Sequence, residues 1–266
     1  MKRSFPEWLD AQTSVGPGKP RPNRKSQIPS VLRTGALAVV LQPIIDLRSA
    51  ATFAYEALVR STSPIFAGPP GLFAEAIDAE VCGAVGRLIR ELAVEACPTH
   101  PLFLNIHPNE FDEGWLVQPN DPIFRHEHDV YLEITESVPL SHFELCHNVL
   151  KEIRSKGISL AVDDLGAGYS NLKYIADLSP EIVKLDRKLV ANMHRDARLR
   201  TLVRAIVGLC VDLGARVVAE GLETADEVAA SRAAGAHYGQ GYYFARPGFP
   251  PPIVDARILI ESCGPV

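Results

Sequence analysis

Cysteine is scarce in this sequence, and what there is sits badly for either of the usual cysteine roles. Cys82, Cys97, Cys146, Cys210 and Cys263 are odd in number, widely scattered and contain no C-x-x-C pair. That pattern excludes a disulfide framework and a thiolate zinc site, and it fits reduced thiols in a cytosolic protein. Cys82, on a helical face, reads as a small core residue. Long apolar runs are missing too: none approaches the roughly 18 residues that a membrane-crossing helix needs. The opening MKRSFPEWLD has a basic pair but no apolar stretch behind it, so no secretory signal is expected. Positive charge is not in excess: 27 Lys and Arg stand against 32 Asp and Glu, a net charge of −5. A chain built as a counterion for a nucleic-acid polymer is therefore excluded. The eight histidines show no H-E-x-x-H and no clear metal spacing.

What remains is a globular composition, 47 % hydrophobic and 22 % charged over 266 residues, enough for a sizeable core and for a single barrel. Residues 1–34 read as a flexible, basic, Pro- and Gly-rich tail, and 35–266 as one barrel domain. The tail carries Lys19, Arg21, Arg24, Lys25 and Arg33. A solvated tether explains them most simply; contact with an acidic protein partner is the functional alternative. From residue 35, short β-branched apolar runs recur at 36–47, 53–60, 102–107, 130–136, 158–165, 182–186, 215–222 and 238–245. Stretches with helical spacing lie between most of them, at 72–96, 140–156, 170–178, 196–213 and 224–235. Eight strands alternating with helices predict a (β/α)8-type barrel, with a doubly wound open sheet as the alternative. Only RSAAT separates the first two runs, too short for a crossover helix, so that pair is predicted to be an antiparallel hairpin.

The informative residues are the polar ones inside apolar strands. Glu56, Asn105, Glu133, Asp163, Lys184, Glu220 and Gln240 each interrupt or end such a run, usually near its C-terminal end. In a parallel barrel those ends converge on one mouth. Five acids there, Glu56, Glu133, Asp163, Asp164 and Glu220, opposed by Lys184 alone, would be unstable without bound cations, because unpaired buried charge costs several kcal/mol per ion. An all-oxygen donor set suits Mg²⁺ or Mn²⁺ rather than zinc. Adjacent Asp163 and Asp164 fit a site for two ions.

At this point the sequence resembles a known family. YEALVR (55–60) is similar to the signature of the EAL-domain cyclic di-GMP phosphodiesterases. LQPIIDL, LEITE, VDDLGAGYS, VKLD, VAEGLET and GQGYYFARP resemble further motifs of that family in the same order, over roughly residues 36–250. The resemblance implies a modified (β/α)8 TIM-like barrel with an antiparallel first strand. It also implies a reaction, hydrolysis of cyclic di-GMP to linear pGpG, with two ions of Mg²⁺ or Mn²⁺; Ca²⁺, with its longer bonds and looser geometry, is expected to bind and inhibit. Glu56, Asn105, Glu133 and Asp163 match the ligands of the first metal. Asp163, Asp164 and Glu220 match those of the second. Lys184 would orient the attacking water and Glu220 would accept its proton. Arg60 would clamp a phosphate, while Gln42, Asp186, Glu223 and Gln240 would contact substrate. Glu136 resembles the residue that anchors the GAGYS loop. That loop and the apolar residues after it, Tyr169, Leu172, Tyr174 and Ile175, would form part of a homodimer interface.

The resemblance has departures. His107 stands where the family often has serine, Ser61 where an aromatic is common, and Leu165 and Ala167 where Phe and Thr are usual. The stretch between Glu56 and Asn105 is also shorter than typical. None removes a matched ligand. A catalytically weak or inactive receptor for cyclic di-GMP, acting through a partner, is the competing reading, and a barrel enzyme for another phosphodiester a weaker one. Glu223 could also cap the helix at 224–235.

Overall fold

In a computed structural model of the chain, the described residues are 35–61, 66, 68–112, 115–135, 143–167 and 172–254, without the side chains of 143–147 and 174. The tail 1–34, Glu136, Gly168 and Tyr169 lie outside them. Eight strands close a barrel in chain order. They are β1 Leu37–Asp46, β2 Thr52–Ser61, β3 Leu102–Asn105, β4 Val130–Thr135, β5 Ser159–Leu165, β6 Ile182–Leu185, β7 Arg216–Ala219 and β8 Tyr238–Gly239. β1 runs antiparallel to both its neighbours, β2 and β8, and every other pairing is parallel. Closure excludes the open sheet, and the first hairpin forms as the short RSAAT connection requires. Asp46 Oδ1 seals its turn by accepting from the backbone N–H groups of Arg48 and Ser49 at 2.9 and 2.7 Å.

The helices are α1 Pro69–Asp78, α2 Cys82–Ala96, α3 Asn109–Asp112, α4 Phe143–Ser155, α5 Leu172–Leu178, α6 Arg187–Val190, α7 Ala197–Asp212 and α8 Ala225–Ala233. The periodic stretch 72–96, expected as one helix, is therefore two. Glu80 takes a left-handed φ of 55°, and the N–H groups of Glu80 and Val81 return to the carbonyls of Ile77 and Ala76. That is a Schellman-type ending built on a glutamate, with no glycine to signal it. The expected strand 238–245 is only two residues long. After Gln240 the chain curls, with Phe244 and Ala245 N–H donating to Gly241 O.

Outward strand residues such as Leu102, Leu132, Val162, Leu185 and Val217 pack beneath the helices, and Cys82, Cys97 and Cys210 are buried thiols there. Inward residues plug the barrel: Ile44, Ala54, Phe103, Tyr131, Ala161, Ile182, Val218 and Tyr238 form one buried cluster. Phe53 stacks on Tyr238 at 4.0 Å and Phe103 on Tyr131 at 4.4 Å. Arg216 donates to the hydroxyls of Tyr238 and Tyr131 at 2.6 and 3.1 Å. Emptying a position such as Phe103 would cost about 3–5 kcal/mol. The plug fills one end of the barrel, so the other end is where polar side chains can gather.

Candidate active site

Side chains on a strand alternate between faces, so the residue two steps beyond each plug position faces the same interior. Ala54 leads to Glu56, Phe103 to Asn105, Tyr131 to Glu133, Ala161 to Asp163, Ile182 to Lys184, Val218 to Glu220 and Tyr238 to Gln240. On the reversed β1 the order inverts, and Gln42 precedes Ile44 and pairs with Glu56. The structure thus brings together every strand-borne polar residue singled out in the sequence.

Lys184, 1 % exposed, is the centre of this layer. Its Nζ lies 2.5 Å from Glu133 Oε1, 2.7 Å from Glu220 Oε1, and 3.4 Å from both Glu56 Oε2 and Asp163 Oδ1. Glu56 is held further by Gln240 Nε2 at 2.6 Å and Asn105 Nδ2 at 3.0 Å. Gln240 also donates to Gln42 Oε1 at 3.2 Å, and Gln42 to the Ala245 carbonyl at 3.2 Å. Asp164 turns off the strand with φ 60°, and Gly166 follows at φ 100°, the unusual backbone the glycine-spaced loop implied. That turn sets one oxygen each of Asp163, Asp164 and Glu220 within 4.8 Å of one another.

The electrostatics follow from this crowding. Burial and then the charge of Glu56 hold the Glu133 carboxyl well above the usual range. Burial also raises Asp163 and carries Glu220 far up, against the pull of Lys184. Asp164 is pushed to about 7 by burial and by Asp163. Glu56 goes the other way: burial raises it, but Lys184, Gln240 and Asn105 outweigh that and keep it low. Lys184 is driven upward because its carboxylates outweigh its own burial.

Among the described residues, both Glu133 oxygens and Asp163 Oδ1 are buried without a well-aligned hydrogen bond. Oxygens so placed, several of them sharing one ammonium, are the donor set of hard divalent cations. The residues therefore fit Mg²⁺ or Mn²⁺.

Two cavities flank Glu56. The larger, about 440 Å³, is lined by four of the expected substrate contacts, Gln42, Asp186, Glu223 and Gln240, together with Glu220, Arg187 and Tyr242. Asp186 also caps α6, accepting from Lys188 N–H at 2.9 Å. Glu223 does not cap α8; Thr224 does, in a reciprocal capping box with Glu227. Glu223 instead pairs with Arg187 at 2.8 Å. Arg187 was missed in the sequence, although it directly follows Asp186. The smaller cavity, about 230 Å³, is lined by Arg60, Asn105, His107, Phe73 and Thr135. Arg60 is exposed there and donates to the Val59 carbonyl, so it stands outside the carboxylate layer. His107 is buried, stacks on Phe73 at 5.4 Å and accepts from Asn109 N–H. Burial lowers its pKa to about 4, so it is a neutral packing residue at pH 7.

Known proteins match this arrangement. The family model described as EAL domain matches residues 25–247. A Pseudomonas aeruginosa protein named as a cyclic di-GMP phosphodiesterase is 40 % identical over 124 residues, covering 47 % of this chain and 21 % of the relative. An uncharacterized protein of Azorhizobium caulinodans is 31 % identical over 234 residues, 80 % of this chain and 32 % of its own. The chain thus spans about a third or less of these relatives. Among solved structures, Klebsiella pneumoniae BlrP1 in its manganese and cyclic di-GMP complex superposes with a TM-score of 0.68 at 31 % identity, covering 80 % of this chain and 56 % of that one. Together with the barrel and its reversed first strand, the match over most of the sequence establishes that this chain belongs to the EAL domain family.

Proposed function

We propose that this protein is a metal-dependent phosphodiesterase that hydrolyses cyclic di-GMP to linear pGpG. The observation that carries the reading is the layer of Glu56, Glu133, Asp163 and Glu220 around Lys184, with Asp164 beside Asp163 and Glu220 and a cavity on either side of Glu56. Glu56, Asn105, Glu133 and Asp163 would hold one divalent ion, and Asp163, Asp164 and Glu220 a second. Bound there, the ions supply Lewis acidity at a phosphate and neutralise the carboxylates. With that site filled, Glu220 would stand ionised and could accept a proton from the attacking water. Lys184 holds Glu220 and Glu133 in place and offers charge to the phosphate. Gln42, Asp186, Glu223 and Gln240 position a base or sugar in the larger cavity, and Arg60 meets a phosphate from the smaller one. Glu136 would steady the loop after Asp164.

The intact carboxylate set favours an enzyme over the alternative, a catalytically weak or inactive receptor. Incubating the purified chain with cyclic di-GMP and Mg²⁺ or Mn²⁺, with chromatography of the products, separates the two. pGpG supports the enzyme; retention of cyclic di-GMP without turnover supports the receptor. The reading includes a homodimer joined near the loop that follows Asp164, a cytoplasmic location, and a protein partner for the basic tail. No helix among the described residues is long and apolar enough to cross a membrane.

A further inference from the structure

Away from the mouth, α2 buries an arginine under the helical shell. Arg90 is 1 % exposed, and its partners Glu110 and Asp121 are each 0 % exposed. Asp121 takes Nε and Nη2 at 3.1 and 2.8 Å, and Glu110 Oε2 takes Nη1. Burying three ionisable groups is a poor route to stability, since apolar residues of the same volume often serve as well or better. An apolar trio could not, however, hold a backbone N–H. Glu110 Oε1 accepts from His107 N–H at 2.9 Å, and Glu110 N–H donates to the His107 carbonyl at 2.9 Å.

His107 follows Asn105 by two residues, and Asn105 is the side chain that reaches Glu56. Between them, Ile106 N–H donates to the Glu133 carbonyl at 3.0 Å. The exit of β3 is thus pinned on one side by β4 and on the other by Glu110. α2 also makes room for the carboxylate. A Cβ at Gly86 would lie 1.9 Å from Glu110 Oε2. Glycine inside a helix costs about 0.5–1 kcal/mol relative to alanine, so that gap comes at the expense of helix stability.

The geometry points to Glu110 as a positioning residue for the carboxylate layer: held by Arg90 in the space left at Gly86, it fixes the backbone at His107 and thereby Asn105 beside Glu56. This rests on the metal reading above. The test is Mn²⁺ titration calorimetry on the metal-stripped full chain, with amide hydrogen exchange across residues 102–112. Glu110→Ala is expected to weaken Mn²⁺ binding about 10-fold or more, the scale for losing support behind a metal ligand, and to speed exchange at His107. Val207→Ala, a buried change in α7, should lower stability and leave Mn²⁺ affinity alone. If Glu110→Ala does not fold, Gly86→Ala keeps every polar group and should shift both readouts in the same direction. Unchanged affinity in a folded variant overturns the assignment, as does an equal loss in Val207→Ala. A wild type that binds no Mn²⁺ refutes the metal reading instead. Exchange at His107 then decides the clamp, faster upholding it and unchanged overturning it.

Discussion

Replacing Lys184 with methionine removes the ammonium that Glu56, Glu133, Asp163 and Glu220 share, while keeping the bulk of a side chain only 1 % exposed. Breaking a buried ion pair typically costs about 3–5 kcal/mol. At about 2–4 °C per kcal/mol for a chain of this size, metal-stripped Lys184→Met should melt about 6–20 °C below wild type at pH 8. The loss should depend on pH. The folded protein raises Glu133, Asp163 and Glu220, and holds Asp164 near 7, whereas the unfolded chain returns them to about 4. A native state that binds more protons than the unfolded one loses stability as pH rises. For Asp164 that contribution is full below about 4 and gone once pH passes about 7. As pH falls, Glu133, Asp163 and Glu220 take up protons more readily than ordinary carboxyls and shed their need for counter-charge, while Glu56 stays ionised, so the substitution should cost less at pH 5.5 than at pH 8. Melts followed by circular dichroism from pH 5 to 8.5, in the presence of a chelator, test this. A loss that is the same at pH 5.5 and 8, or absent at pH 8, would refute the shared-ammonium account.

Asp163→Asn keeps the shape of the ligand and removes its charge, so turnover should fall at least about 10²-fold; near-wild-type product formation would mean the metal pair is misplaced. Ca²⁺ takes more ligands at longer distances than Mg²⁺, so cyclic di-GMP should still bind in Ca²⁺ while hydrolysis stops, and full activity in Ca²⁺ alone would contradict the mechanism. Arg187→Ala opens the larger cavity without touching the carboxylate layer. It should raise KM and leave kcat within about twofold, whereas a fall confined to kcat would place Arg187 at the reacting phosphate. Tyr174→Glu should yield monomers by light scattering and lower turnover; a wild type already monomeric and fully active at micromolar concentration would end the dimer proposal.

Much of the site was legible because charge inside an apolar strand is an anomaly that needs a cause. Glu56, Glu133, Asp163, Lys184, Glu220 and Gln240 each stand two residues past an apolar plug residue, so the period-2 pattern that identifies the strand also aims the side chain. Roles that depend on tertiary approach were harder to read. Arg90 and Glu110 come from two different helices and Asp121 from a loop, and each has the local sequence of a surface residue. Arg187 resembles any basic residue opening a short helix until Glu223 arrives from the next β/α unit. The break between α1 and α2 was hidden because Glu80 takes the left-handed turn where a glycine would have marked it. Strand β8 was overestimated because Tyr242, Tyr243 and Phe244 after Gln240 carry β propensity but fold into a turn.

The reversed first strand has a consequence for how this barrel can be controlled. Because β1 runs against the others, its first residue, Leu37, pairs with Ser61 at the end of β2, five positions beyond Glu56. Whatever precedes residue 35 in the chain therefore joins the barrel on the rim of the carboxylate layer and not at the plugged base. In an all-parallel barrel the first strand would begin at the base, and a module fused ahead of it would hang a full barrel height away from the chemistry. Here that entry point and the carboxylate layer share one rim. Only five residues of backbone separate Leu37 from Gln42, whose side chain touches Gln240, which in turn donates to Glu56.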